Sequence, residues 1–219
     1  SGKHPLSGRP AQGAQTLSRN VEQHSDSPMV RRLAVIGLGL IGGSFAKGLR
    51  EGGHCAEVVG FDLDPRFREL AVELGVVDRC ADSLEEACRG ADVIQLAVPI
   101  LAMERLLAEL APLDLGEAVL TDVGSAKGNV VRRSRELFGA MPPRFVPGHP
   151  IAGSEQSGVT AAQSTLFRRH KVILTPLEDT DQAALALVDG LWRALGADVE
   201  HMDVRHHDEV LAATSHLPH

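Results

Sequence analysis

The sequence predicts an α/β fold built on a doubly wound, mostly parallel β-sheet. Two observations support this prediction. From Arg31 onward, short apolar runs alternate with helix-like stretches, the pattern produced when each strand is followed by a crossover helix. After Asp92 at its start, segment 92–98 is apolar except for Gln95, which is typical of a strand buried on both faces of a parallel sheet.

The apolar runs and the helical periodicity place each element in order along the chain. The helix at 65–74 is the best defined, because Pro65 is favoured as a first helical residue and Asp64 precedes it as a cap. The predicted strands are 33–36, 57–61, 92–98, 118–123, 145–146, 172–174 and 197–200. The predicted helices are 41–51, 65–74, 83–89, 100–110, 127–138 and 180–195.

The chain divides into three parts by composition. Residues 1–28 contain few apolar side chains and are expected to form a disordered tail. Residues 29–202 carry the strand–helix alternation and form one predicted α/β domain. A further helical pattern begins near Asp203 and still continues at Ala213, so we interpret 203–219 as the beginning of an α-helical domain that is incomplete here.

Composition limits the classes of function. The 219 residues carry a net charge of −7, which argues against a nucleic-acid partner because phosphate binding requires a basic surface. The three cysteines form no C-x-x-C pair, as expected for free thiols in a reducing compartment. No apolar run approaches the ~18 residues of a membrane span, so we expect a cytoplasmic protein without a membrane partner.

A glycine-rich turn follows the first predicted strand and opens the first predicted helix. It has the spacing G-x-G-x-x-G and predicts a Rossmann-type dinucleotide site. Its first glycine would permit the tight turn, its second would let the backbone approach a pyrophosphate, and its third would allow close helix–strand packing. The six residues of the turn are Gly37, Leu38, Gly39, Leu40, Ile41 and Gly42.

Cofactor choice is predicted from the end of the second strand. Asp62 follows Gly42 by twenty residues, where an acidic side chain accepts hydrogen bonds from ribose hydroxyls and repels a 2′-phosphate. The sequence therefore favours NAD over NADP, although Arg66 and Arg68 lie close enough to weaken the preference. Val98 and Pro99, where a later strand ends, are also expected at the cofactor site.

Two polar, glycine-containing segments, 121–128 and 148–155, follow strands at the same edge of the sheet. Oxidation of an alcohol needs a group that takes the hydroxyl proton, and His149 is the best candidate because histidine titrates near neutrality. Ser125 is placed to contact both that hydroxyl and the cofactor. The alternative is that Ser125 caps helix 127–138 and His149 is an ordinary loop histidine.

Four segments together resemble the prephenate/arogenate (cyclohexadienyl) dehydrogenase family. They are 35–44, 122–128, 148–155 and 207–219, and the resemblance extends from about Arg31 to the last residue. It implies NAD-dependent oxidative decarboxylation in tyrosine biosynthesis. It also implies a homodimer formed through a helical domain that continues past this sequence and supplies a substrate-binding arginine.

The resemblance further implies roles for individual residues. His149 would hydrogen-bond the substrate hydroxyl with Ser125 as its helper, and Glu155 would lie at the mouth of the site. The remaining residues expected near the substrate are His207, Ser215 and His216.

Other interpretations are weighed against this one. A 3-hydroxyacid dehydrogenase of the 6-phosphogluconate type shares the glycine motif, but segment 148–155 argues against it. A non-catalytic NAD-binding module is the alternative from another class, and the choice between prephenate and arogenate stays open. A metal site is disfavoured because Pro218 interrupts the spacing of His216 and His219. The other residues considered as ligands are His201, His206, His207, Asp203 and Asp208.

Overall fold

The computed structural model describes residues 27–151 and 161–215, so nearly all of the predicted tail lies outside the described residues. The strands are β1 (Val30–Ile36), β2 (Cys55–Phe61), β3 (Arg79–Cys80), β4 (Val93–Leu96), β5 (Val119–Asp122), β6 (Phe145–Val146), β7 (Gly148–Pro150), β8 (Lys171–Leu174) and β9 (Asp198–His201). The helices are α1 (Leu40–Glu51), α2 (Pro65–Glu73), α3 (Leu84–Cys88), α4 (Ile100–Leu110), α5 (Lys127–Phe138), α6 (Gln182–Ala194) and α7 (Val204–Ser215).

Six strands form one parallel sheet in the order β3-β2-β1-β4-β5-β6. This order confirms the predicted doubly wound fold, because the chain moves outward from β1 in one direction and then returns to begin again at β4. The carboxyl ends of β1 and β4 are neighbours, and a crevice opens there between the connections that leave the sheet in opposite directions.

The last three strands form a second sheet in the order β7-β8-β9. The segment Gly148–His149–Pro150 was expected to be a connection after a strand, but it is itself the strand β7 and pairs antiparallel with β8. The segment contains a glycine and a proline and has no apolar alternation, so local preference does not indicate a strand. The segment is extended because it pairs with β8, where His149 lies opposite Ile173.

Each face of the main sheet is covered by its own apolar layer. On one face α6 brings Trp192 against Phe45 of α1 and against Phe167, with ring centroids 4.8 and 4.9 Å apart. On the other face α4 contributes Met103 and Leu107 to the core. Burial of large side chains on both faces explains why the central strands contain few polar residues.

The predicted helix starts are confirmed where they depend on local chemistry. Asp64 accepts a hydrogen bond from the backbone N–H of Arg66 at 3.0 Å, and Pro65 is the first residue of α2.

Two expectations drawn from composition concern the cysteines and the absence of a membrane span. All three cysteines are free, as predicted, and burial raises the pKa of the Cys55 and Cys88 thiols to about 12. Within the described ranges, no helix has the length and apolar character needed to cross a membrane.

Candidate active site

The first and third glycines of the turn are required by the packing of the protein itself. Gly37 has φ +97°, and a Cβ there would lie 2.4 Å from the carbonyl oxygen of Ala97. A Cβ on Gly42 would lie 2.0 Å from the carbonyl oxygen of Gly37. Both positions exclude any larger residue because the obstructing atoms belong to the backbone. At this turn the backbones of β1, β4 and the start of α1 therefore lie in direct contact, with no room for a side chain between them.

Gly39 differs from the other two glycines. A Cβ built there would meet no atom of the described residues within 4 Å, so no contact in that part of the chain explains the absence of a side chain. Gly39 is also the N-cap of α1, where no side chain forms a capping hydrogen bond. A helix N-terminus with free N–H groups and an uncovered approach is a typical binding site for a phosphate. The turn therefore fits a dinucleotide pyrophosphate.

Asp62 lies beside this turn at the end of β2. Its two carboxylate oxygens accept hydrogen bonds from the backbone N–H groups of Leu38 and Asp64, each at 2.9 Å. The carboxylate is thereby held in one orientation and still has lone pairs for ribose hydroxyls. Neither nearby cation pairs with it: Arg66 pairs with Asp64, and the Arg68 guanidinium lies 5.7 Å from the ring centroid of Phe61.

A cavity of about 670 Å³ follows the carboxyl edge of the sheet from the glycine turn to the β5–α5 connection. Its wall is largely apolar, as expected of a cofactor cleft. Val98 and Pro99 line it at the end of β4, and Ser125 lines its far end. Other residues that line the cavity include Gly37, Gly39, Leu40, Ile41, Asp62 and Gly124.

The start of α5 corrects one of the interpretations of Ser125. The helix begins at Lys127 with Ala126 as its N-cap, and no side chain of the cap residue bonds the helix. Ser125 is therefore not the cap. The first N–H groups of α5 donate instead to Asp208 of α7, from Lys127 N at 3.3 Å and from Gly128 N at 2.9 Å.

A buried ion pair lies directly beneath this connection. The Lys127 ammonium is completely buried, 2.5 Å from Asp122 Oδ2 and 2.7 Å from the carbonyl oxygen of Gly148. Asp122 in turn accepts hydrogen bonds from the backbone N–H groups of Gly124 and Gly148. Burial lowers the pKa of Lys127, and the Asp122 carboxylate opposes that shift. The pair fixes β7 against the β5–α5 connection.

His149, the next residue of β7, contacts a second histidine. Its Nδ1 lies 2.9 Å from Nε2 of His207, and the two rings meet edge to face with centroids 5.1 Å apart. Nδ1 of His207 lies 2.8 Å from Oδ1 of Asp208. Across the described ranges, no group hydrogen-bonds Nε2 of His149. His149 is therefore not an isolated loop histidine. It is the last member of a hydrogen-bonded series that runs from Asp208 through His207 to His149.

The electrostatic environment keeps His149 neutral. Burial is the largest cause, and the neighbouring His207 and the Lys127 ammonium add to it, so the pKa of His149 falls to about 4. Partial burial would raise the pKa of Asp208, but hydrogen bonds from His207 and from the α5 backbone outweigh it and lower that pKa. Near neutral pH the cluster therefore presents a neutral imidazole and an ionised carboxylate.

Three predicted substrate contacts lie where the structure gives no side-chain description. Glu155 and His216 fall outside the described residues, and only the backbone of Ser215 is described, at the end of α7. His207 is described, and its completely buried side chain contacts His149 and Asp208.

The histidines considered as metal ligands have other partners or lie apart. His201 pairs with Asp189 at 2.7 Å. Across 27–151 and 161–215 no three histidine, cysteine or acidic side chains are close enough to hold a metal ion.

Sequence reasoning did not assign Asp122, Lys127 and Asp208 to the site. One signal was present: Lys127 is a cation in the first turn of a helix, where the helix dipole disfavours positive charge. Asp122 is a carboxylate at the end of a completely buried strand, which requires a partner of opposite charge or several N–H donors. Asp208 gave no comparable signal, because its contacts depend on how α7 packs against α5.

The sheet order, the glycine turn and the cleft define a nucleotide-binding domain of the Rossmann type with an adjoining histidine cluster. Comparison with known proteins agrees. Residues 45–201 match the family model described as prephenate dehydrogenase, nucleotide-binding domain. The chain therefore belongs to the prephenate dehydrogenase family.

Individual relatives show how much of such a protein the chain represents. It is 37% identical over 192 residues to cyclohexadienyl dehydrogenase of Zymomonas mobilis, covering 86% of this chain and 64% of that protein. The crystal structure of Aquifex aeolicus prephenate dehydrogenase is 38% identical with a TM-score of 0.77, covering 85% of this chain and 66% of that one. A structure of the A. aeolicus enzyme in complex with hydroxyphenyl propionate and NAD+ is 36% identical with a TM-score of 0.76, covering 83% and 63%.

Proposed function

We propose that this chain carries the NAD+ site and the catalytic imidazole of an enzyme for tyrosine biosynthesis. The enzyme oxidatively decarboxylates prephenate to 4-hydroxyphenylpyruvate, arogenate to tyrosine, or both. Family membership supports this proposal, as does the relative whose structure holds hydroxyphenyl propionate and NAD+. The same membership disfavours a 3-hydroxyacid substrate.

The observation that carries the proposal is the β5–α5 connection, residues 123–126, which joins the two halves of the site. Ser125 lines the far end of the cofactor cleft, while Asp122 and Lys127 on either side hold Gly148 and thereby position His149. This segment would therefore bring a polar residue to the bound cofactor and a neutral imidazole close to it. This is the arrangement that oxidation of a substrate alcohol requires.

The cofactor would be held by groups already described. The N-terminus of α1 at Gly39 would bind the pyrophosphate, and Asp62 would accept hydrogen bonds from the ribose hydroxyls of NAD+. When bound, NAD+ supplies the acceptor for the hydride that leaves the ring carbon bearing the hydroxyl.

The chain's own residues would handle the proton. The neutral His149 accepts the hydroxyl proton at Nε2 as the ring alcohol is oxidised, and Ser125 donates a second hydrogen bond to the same oxygen. The ketone formed on the ring then accepts the electron pair released when the carboxylate leaves as CO₂, and its oxygen takes the proton back from His149. Aromatisation drives this step, so the ring itself serves as the electron sink.

The remaining assignments follow from the same proposal. Residues 1–28 form a tail, 29–202 the dinucleotide-binding domain, and 203–219 the beginning of a helical domain. That helical domain would complete the substrate site, with Glu155, Ser215 and His216 near the substrate, and would form a homodimer. We place the enzyme in the cytoplasm.

A direct assay tests the proposal. The protein is mixed with NAD+ and, separately, with prephenate, arogenate or a 3-hydroxyacid, while NADH is followed by absorbance and CO₂ by a coupled assay. We expect equal amounts of NADH and CO₂ from prephenate or arogenate, and neither product from the 3-hydroxyacid.

Two outcomes would contradict the proposal. Oxidation of the 3-hydroxyacid without release of CO₂ would identify a different dehydrogenase. Binding of NAD+ without turnover of any substrate, both by this chain and by one extended through the helical domain, would support a non-catalytic nucleotide-binding module.

A further inference from the structure

The series Asp208–His207–His149 links the end of one helix to the proposed catalytic base. His207 is buried between the other two, with Nδ1 2.8 Å from Asp208 Oδ1 and Nε2 2.9 Å from His149 Nδ1. A neutral imidazole carries one N–H donor and one acceptor nitrogen, so each bond in such a series fixes the next.

The direction of the series follows from its carboxylate end. An ionised Asp208 only accepts hydrogen bonds, so His207 must donate from Nδ1. When Nδ1 holds the single proton of the His207 ring, Nε2 of that ring is an acceptor, and His149 donates to it from Nδ1. The proton of His149 is thereby held on Nδ1, and Nε2 keeps its lone pair.

We propose that His207 and Asp208 are positioning residues that set the tautomer of His149, leaving its Nε2 unprotonated and directed to the substrate. The proposal deepens the function proposed above, because it takes His149 as the base. It also gives His207 a role behind the base instead of at the substrate. The same logic explains the contribution of an aspartate behind the histidine of hydrolytic triads.

The competing explanation is purely structural, because Asp208 also accepts the first N–H groups of α5. The bond lengths assign a different role to each carboxylate oxygen of Asp208: one caps α5 and the other bonds His207. Oδ2 faces Gly128 N at 2.9 Å, whereas Oδ1 faces His207 at 2.8 Å and has only a longer contact of 3.3 Å with Lys127 N.

Substitution Asp208→Asn follows from this geometry. The amide oxygen is retained toward Gly128, where an acceptor is essential, and the amide NH₂ is turned toward His207. That NH₂ donates to Nδ1 of His207 and moves its proton to Nε2. His207 then donates to His149 and moves the proton of His149 from Nδ1 to Nε2.

The test is the protonation of ring nitrogens, measured near pH 7.5 by two-dimensional ¹⁵N–¹H NMR on protein labelled at histidine. The chain has ten histidines, so the signals of interest are assigned by their loss in His149→Asn and His207→Gln. Turnover is not needed for this measurement. Absence of prephenate or arogenate oxidation in the unsubstituted protein would therefore refute the proposed function without affecting the tautomer result.

We expect His149 to carry its proton on Nδ1 in the unsubstituted protein and on Nε2 in Asp208→Asn. His207→Gln should leave the proton on Nδ1, because the glutamine oxygen replaces the Nε2 acceptor. Asp203→Asn is the matched control: Asp203 caps the same helix through His206 N at 2.7 Å but does not contact the His207 ring. It should change thermal stability and leave the tautomer of His149 unchanged.

Three results would overturn the proposal. They are a proton on Nε2 of His149 in the unsubstituted protein, a His207 ring protonated on both nitrogens, and an Asp208→Asn spectrum in which His149 is unchanged. The first two are read from the unsubstituted protein, so the test survives if Asp208→Asn fails to fold. In an active enzyme, Asp208→Asn should lower kcat roughly 10²–10⁴-fold while the Kd of NAD+ is unchanged.

Discussion

The nucleotide cleft and the histidine cluster lie side by side at one edge of the sheet, but they are built differently. The cleft is lined mainly by glycines and apolar side chains, and Asp62 accepts a hydrogen bond from the backbone N–H of Leu38 in the glycine turn. The cluster consists of charged and titratable side chains: Asp122, Lys127, His149, His207 and Asp208.

The two regions also differ in how far apart their parts lie in the sequence. The turn that would hold the pyrophosphate is six consecutive residues, and Asp62 bonds Leu38 across 24 positions. Lys127 and Asp208 of the cluster are 81 positions apart, and His149 and His207 are 58 apart. A local, backbone-built site should tolerate changes in side chains, whereas a cluster of buried charges depends on every member.

The largest effect is expected from His149→Asn. The asparagine amide occupies the place of Nδ1 and can keep the hydrogen bond to His207, but it has no counterpart of Nε2. Turnover of prephenate or arogenate by the active enzyme should fall roughly 10²–10⁴-fold, the usual contribution of a general base.

Calorimetric titration with NAD+ provides the control for this variant. The Kd of NAD+ should stay within about twofold, since the glycine turn is untouched. Turnover equal to that of the unsubstituted enzyme would refute the role of His149. A large loss of NAD+ binding would show that the nucleotide cleft and the histidine cluster do not act independently.

The next effect concerns stability. Lys127→Met removes one partner of a completely buried pair and leaves the Asp122 carboxylate without a cation. We expect the free energy of unfolding in urea to fall by about 3–5 kcal/mol.

Arg89→Met is the matched control for the buried pair. It breaks an exposed pair with Glu85 whose side chains are 72% and 69% exposed, and it should cost about 1 kcal/mol or less. Equal losses of unfolding free energy in the two variants would show that the buried pair contributes no more to stability than the exposed pair.

The third prediction separates two glycines of one turn. Gly42→Ala places a Cβ 2.0 Å from a backbone oxygen and should lower the free energy of unfolding by about 1–3 kcal/mol. The Cβ of Gly39→Ala contacts no atom within 27–151 and 161–215, so the variant should cost less than about 1 kcal/mol, but it should weaken NAD+ binding by about tenfold or more. Thermal unfolding and calorimetry measure the two quantities. Full NAD+ affinity in Gly39→Ala would place the pyrophosphate elsewhere.

The smallest effect is on cofactor preference. Asp62→Ala removes the ribose acceptor and its charge, so the ratio of the Kd values for NADP+ and NAD+ should fall by about tenfold. Asp78→Ala is the control, since Asp78 also accepts a backbone N–H, from Val58 at 2.7 Å, and lies outside the cleft lining. An unchanged ratio in Asp62→Ala would mean that other groups select the cofactor.

Local chemistry accounts for what was predictable in this fold. The bounds of α5 and β6 match the prediction, and those of α1, α2 and α4 differ from it by one residue at most, because apolar periodicity and capping residues are properties of short segments. The strand β3 was not anticipated, since two residues give no periodicity. The strand β7 was missed because its order comes from pairing with β8.

The candidate site follows the same division. Gly37, Gly39, Gly42 and Asp62 were predictable as a unit, because their roles depend on spacing around one strand–turn–helix connection. His149 and Ser125 were selected by residue type and by their place after strands. Their surroundings, the buried Lys127 above all, were beyond local patterns.

By itself, then, the sequence determined the doubly wound fold and the nucleotide cleft, since both are marked by local patterns, the strand–helix alternation and the spacing of the glycine turn. Only the tertiary structure decided that Asp208 caps α5, that His207 lies behind His149, and that Lys127 is buried against Asp122. The physical reason is distance along the chain. A contact across 58 or 81 residues depends on how separate elements pack, and no local pattern of residues records that packing.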